Sequence, residues 1–153
     1  EGTLAQLLAQ KAERVIAVDH SEKMVAFGTE NAARNGLENL EYRLGDIESP
    51  PIEDNSTDLA FLSQALHHAS NPSRALEEVH RILVPEGKVV ILDLLQHSFE
   101  QARELYADTH LGFAEVEIAG LLGDAGFREI ETAIADREEA PPGFQTLLAV
   151  ARK

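Results

Sequence analysis

The chain has 153 residues, 44% of them hydrophobic and 26% charged, a size and balance that suit one soluble domain with its own core. Thirteen Lys and Arg against 27 Asp and Glu give a net charge of −14, a field that repels phosphate backbones and excludes direct nucleic-acid binding by this portion, though not a ligand with a positive centre. Cysteine is absent, which excludes disulfides, thiolate metal sites and cysteine nucleophiles; no membrane-length apolar run or signal-peptide pattern appears, so a cytoplasmic protein without a membrane partner is expected.

Glu1-Gly2-Thr3 reads as the end of a glycine turn opening a helix over 3–11, with Leu4, Leu7 and Leu8 on one face. A strand over 14–19 follows, Arg14-Val15-Ile16-Ala17-Val18-Asp19, ending in a carboxylate. This order is the second half of a nucleotide-binding βαβ unit, in which a helix N-terminus faces the ligand and the strand-end acid accepts both ribose hydroxyls. The first strand and most of the glycine loop are not in the chain, so an N-terminally incomplete unit is expected.

A helix over 21–35, strands over 40–45 and 57–63, and a helix over 72–84 come next. In the last of these Asn71 suits the cap, Pro72 the first turn, and Leu76, Val79, Ile82 and Leu83 the buried stripe. Pro85-Glu86-Gly87 turns the chain into a strand over 88–94. Helices are predicted over 98–108 and 115–125, the latter closed by Gly126 as a left-handed cap. Strands over 127–135 and 144–152, joined only by a solvated loop, must be antiparallel neighbours. The prediction is an α/β fold: a Rossmann-like, doubly wound, mostly parallel sheet with a C-terminal antiparallel hairpin, in a single domain over 1–153.

Taken together, Glu1-Gly2-Thr3, Asp19-His20-Ser21-Glu22-Lys23-Met24, Leu44-Gly45-Asp46-Ile47, Asp54–Leu59 with Ala65-Leu66-His67-His68, and Arg81–Gly87 resemble the motifs of class I S-adenosylmethionine-dependent methyltransferases, in family order. The family more often has Pro-Gly-Gly where this chain has Pro85-Glu86-Gly87, a departure that touches a turn and not the chemistry. The resemblance implies S-adenosylmethionine as cofactor, held by Gly2, Asp19, His20, Met24, Asp46, Ile47, Ser63 and Gln64. Asp19 would take the ribose, Asp46 the adenine amino group, and Ile47 the face of the ring; Met24 would lie beside the adenine. Asp93–His97, with Leu111-Gly112-Phe113 and Ala125-Gly126-Phe127, resembles the methyltransferase half of bacterial proteins that carry an N-terminal winged-helix regulator, which would precede this chain in the full-length protein.

Methyl transfer from a sulfonium needs alignment more than a catalytic triad, so the motifs do not name the small-molecule methyl acceptor. Weak catalytic candidates are His67, His97 and Tyr106; a histidine of ordinary pKa, about 6.5, can remove an acceptor's proton. No third ligand stands at helical spacing from His67 and His68, so no metal site is expected. His20 and His80 read as surface residues, and the pairs Glu77-Glu78 and Glu138-Glu139 as solvated faces. Lack of cysteine weighs against arsenite methylation, which in the family relies on thiolates. Two alternatives stand beside the enzyme: a module that senses S-adenosylmethionine without turnover, and a nicotinamide-binding Rossmann domain, against which the closing hairpin argues.

Overall fold

Helices and strands alternate along much of the chain, strands Leu40–Leu44 and Thr57–Ser63 follow one another without a helix between them, and two further strands close it. The structure is a computed structural model and describes residues 3–153; Gly2 lies outside the described residues. The chain divides into two compact units, 1–51 and 52–153.

In the first unit, α1 (Thr3–Ala9), β1 (Val15–Asp19), α2 (Glu22–Arg34) and β2 (Leu40–Leu44) form a parallel two-stranded sheet with its helices. Ser21 caps α2, its Oγ accepting from the Met24 N–H at 3.3 Å. The core is small: Ala9, Ala32 and Leu40, with Val15, Ala17, Leu37 and Tyr42 packed around them. Gly28 lets α2 approach the sheet, since a Cβ there would stand 2.4 Å from the Tyr42 ring. Burial leaves the Tyr42 hydroxyl without a partner among the described residues and pushes its pKa up.

The second unit holds β3 (Thr57–Ser63), α3 (Pro72–Ile82), β4 (Leu83–Leu94), α4 (Ala102–Leu105), α5 (Glu115–Asp124), β5 (Arg128–Arg137) and β6 (Gln145–Arg152). Its sheet runs β3-β4-β6-β5, with β3 parallel to β4 and both pairings of β6 antiparallel. The predicted hairpin therefore stands at the sheet edge. Apolar side chains of α3, α5 and the inward faces of β4 and β6 (Leu76, Val79, Ile118, Leu122, Ile91, Leu147) make the core.

Caps follow the sequence. Asn71 Oδ1 accepts from the Arg74 N–H at 3.1 Å with Pro72 in the first turn, and Gly126 takes φ +100° after α5. Four corrections arise. The helix expected over 98–108 contracts to the single turn of α4, because the flanking segments pair instead: Gln96 and His97 donate to the Phe113 and Leu111 carbonyls. The strand expected at 88 begins at Leu83, with Val84–Gly87 looped out between the Thr57↔Leu83 and Leu59↔Lys88 pairs. Glu78 is not solvated but buried between Arg74 and Arg81, at 2.7 and 2.8 Å. His80 is half-buried, its ring edge-on to Phe127.

Candidate functional site

In the first unit the polar chemistry gathers at the carboxyl end of the two-stranded sheet. Parallel pairing brings the ends of β1 and β2 side by side, and the Gly45 N–H donates to the Asp19 carbonyl at 2.9 Å. The Asp19 side chain is 39% exposed. Its Oδ1 accepts from the Ser21 N–H at 2.8 Å, leaving Oδ2 without a hydrogen-bond donor among the described residues. That bond fixes the carboxylate at the start of α2, where the helix N-terminus favours negative charge. His20 is exposed, with Nδ1 3.8 Å from Asp19. Met24 is half-buried one turn into α2. Asp46 is exposed just past β2, with Oδ1 accepting from the Glu48 N–H at 2.8 Å, and Ile47 beside it is half-buried.

The second unit carries a different cluster at the carboxyl ends of β3 and β4. Ser63 and Gln64 are exposed there; Gln64 adopts φ +51° while its N–H donates to the Leu92 carbonyl at 2.8 Å. Beyond them a 3-10 turn, Leu66–His68, is tied down by Asp93. Asp93 is 0% exposed, and three donors converge on it: the Leu66 N–H at 2.9 Å, the Leu94 N–H at 2.8 Å and His67 Nδ1 at 2.7 Å. A buried carboxylate with that many donors is held as an acceptor, so His67 Nδ1 carries the shared proton and Nε2 is directed elsewhere. It faces Asp108: Nε2 lies 3.5 Å from Asp108 Oδ1, and His68 Nδ1 lies 3.8 Å from the same oxygen. His67 and Asp108 are each 4% exposed.

His97 adjoins this cluster. Its Nδ1 accepts from the Phe99 N–H at 3.2 Å, its ring packs on Phe144, and its Nε2 is buried without a partner among the described residues. Burial holds the His97 pKa below its usual value against the opposing pull of Asp108. Gly112, at φ +78°, lets residues 111–113 run against the Leu94 and Leu95 carbonyls, where a Cβ would stand 2.6 Å away. That pairing positions His97. Tyr106 is exposed, edge-on to Phe144. A cavity of about 120 Å³ opens beside His97, lined also by Phe99 and Phe144.

Reasoning from sequence named His67 and His97 but missed the two carboxylates that organise them. Asp93 had a signal: it continues the inward alternation of Val89 and Ile91, where an apolar residue is expected. Asp108 had none, since it lies in an irregular turn after Ala107 at φ +57°.

Helices and parallel strands followed by a closing antiparallel hairpin place the chain in the Rossmann-like α/β class. The family model for the methyltransferase domain matches residues 1–91, and the chain belongs to that family. It is 30% identical to the arsenite methyltransferase of Halobacterium salinarum over 128 residues, 80% of this chain and 33% of that protein. Among the first curated relatives it matches, the chain spans only 25–42% of their length. The solved structure of YcgJ from Bacillus subtilis covers 99% of this chain and 87% of its own at TM-score 0.80 and 16% identity, a likeness of fold. A SAM-dependent methyltransferase from Aquifex aeolicus is 25% identical at TM-score 0.68, over 97% of this chain and 73% of its own. Among the described residues, no helix is long and apolar enough to cross a membrane.

Proposed function

We propose that this chain is an S-adenosylmethionine-dependent methyltransferase domain acting on a small-molecule acceptor. The observation that carries the reading is Asp19: in a chain of the methyltransferase domain family, a half-exposed carboxylate stands at the end of a parallel strand with one oxygen anchored and the other open. A ribose offers two hydroxyl donors, which such a carboxylate accepts. Asp46, at the end of the neighbouring strand, keeps an oxygen for the adenine amino group, and Met24 and Ile47 supply soft apolar surface for the ring. The cofactor, when bound, supplies a methyl group already activated on a sulfonium.

What remains for the protein is to orient the acceptor and exclude water. His67, with both ring nitrogens turned toward buried carboxylates, orders its turn rather than meeting an acceptor. His97 and Tyr106, which both pack on Phe144, are the candidates to approach one. With no cysteine, these 153 residues offer no thiolate for a soft metalloid, so arsenite is not carried over from the halobacterial relative. Titration calorimetry with S-adenosylmethionine and with NAD tests the reading: the first is expected to bind and the second not. Binding of NAD alone would overturn it, and S-adenosylhomocysteine formed with an acceptor distinguishes an enzyme from a sensor.

A further inference from the structure

Asp108 poses a problem that the methyltransferase reading does not solve. Its Oδ1 is buried and accepts no hydrogen bond among the described residues, yet it points at two imidazole nitrogens. His67 Nδ1 is committed to Asp93, so the Nε2 that faces Asp108 at 3.5 Å presents a lone pair to a carboxylate oxygen. Two acceptors held face to face in a buried place are unfavourable unless a positive charge lies between them.

We propose that His67, His68 and Asp108 form a binding site for a zinc-class divalent cation. One ligand atom from each of the three residues lies within 4.8 Å of the others, and His67 Nε2 and His68 Nδ1 both approach Asp108 Oδ1. Tetrahedral zinc with bonds of ~2.0–2.1 Å sets its ligand atoms about 3.3–3.4 Å apart, close to the 3.5 and 3.8 Å separations from Asp108. Two imidazoles and one carboxylate suit zinc and its transition-metal neighbours better than magnesium or calcium, which take oxygen ligands. Asp93 supplies the outer support such sites use: its carboxylate receives His67 Nδ1–H at 2.7 Å, which fixes the tautomer and aims Nε2 at the cation. The His68 side chain is 43% exposed, giving the cation a route in, and a water would complete the four ligands. To ligate, His68 Nδ1 exchanges its long 3.3 Å contact with the Ala107 carbonyl for the metal. The competing arrangement is a proton on His67 Nε2, bridging Asp93 and Asp108 with no metal.

The full chain, stripped with a chelator, is titrated with Zn²⁺ by calorimetry and with Co²⁺ by visible absorption, independently of any methyl transfer. One equivalent of each is expected to bind, with Co²⁺ showing the intense bands of a four-coordinate site. His68→Ala, at a half-exposed position, and Asp108→Asn are each expected to weaken binding about 100-fold, the upper range reported for losing even an outer-shell partner. Far-ultraviolet circular dichroism verifies that both variants are folded. Lack of binding by the wild-type chain, or undiminished binding in either folded variant, overturns the proposal, as does a wild-type His67 doubly protonated in the presence of Zn²⁺ by nitrogen NMR.

Discussion

Asp19 and Asp93 both stand at the carboxyl end of a parallel-paired strand, and they do opposite things. Asp19, in the first unit, is 39% exposed, anchored through one oxygen to the Ser21 N–H, and open at the other. Asp93, in the second, is sealed from solvent and saturated by two backbone N–H groups and His67. A strand-end acid is therefore no ligand site by position alone. What separates a carboxylate that receives a ligand from one that holds a turn is the number of internal donors already on it. The two sites should accordingly respond differently to loss of the acid, one in affinity and the other in stability.

The largest effect is expected from Asp93→Ala. It strands the Leu66 and Leu94 N–H groups and His67 in a buried place, and urea unfolding should show a loss of about 3–5 kcal/mol. A loss below about 1 kcal/mol would break the comparison. Asp19→Ala should instead weaken S-adenosylmethionine binding by about 1–3 kcal/mol in calorimetry, with a smaller change in unfolding free energy. Unchanged affinity would remove Asp19 from the ribose and with it the contrast between the two acids.

Gly28→Ala tests whether the first unit rests on packing rather than on a polar cluster. The added methyl meets the Tyr42 ring at 2.4 Å; overpacking of about 1–3 kcal/mol outweighs a helix-propensity gain of about 1 kcal/mol. A lowered melting temperature is expected, and a raised one would show that Tyr42 yields freely.

The smallest effect concerns His80 in the second unit. Burial first, and then the Lys153 charge, hold its pKa below the usual value, against a hydrogen bond with the Gly126 backbone. The folded state thus favours the neutral ring. The stability this contributes is fully present above the unfolded pKa of about 6.5 and is lost as pH falls through that value towards the lower folded one. His80→Gln should flatten that part of the stability–pH curve, measured by urea unfolding at pH 5, 6 and 7.

Several features were legible in the residues because local physics decides them. Asn71 before Pro72 favours a helix start, and Gly126 ends one because a left-handed residue is needed there. The apolar run to Asp19 makes a strand whose terminal acid meets the next helix, whatever packs around it. Helix 98–108 failed for the complementary reason. Only Ala102–Leu105 form a helical turn, while the segments on either side, 96–97 and 111–113, pair with one another, a long-range contact that local pattern does not encode. Glu78 read as solvated because its sequence neighbours are charged, and only packing shows it enclosed by two arginines.

The sequence by itself determined the order of the elements, the closing hairpin and the strand-end carboxylate of the first unit. Each depends on contacts among residues a few positions apart, or on the alternation of a single strand. Tertiary structure alone decided that β6 lies between β4 and β5, and that Asp93 and Asp108 converge on opposite nitrogens of His67. Those outcomes depend on which buried faces meet and on polar groups finding partners once water is gone. A donor's partner is chosen by the space around it after folding, and no spacing along the chain encodes that choice.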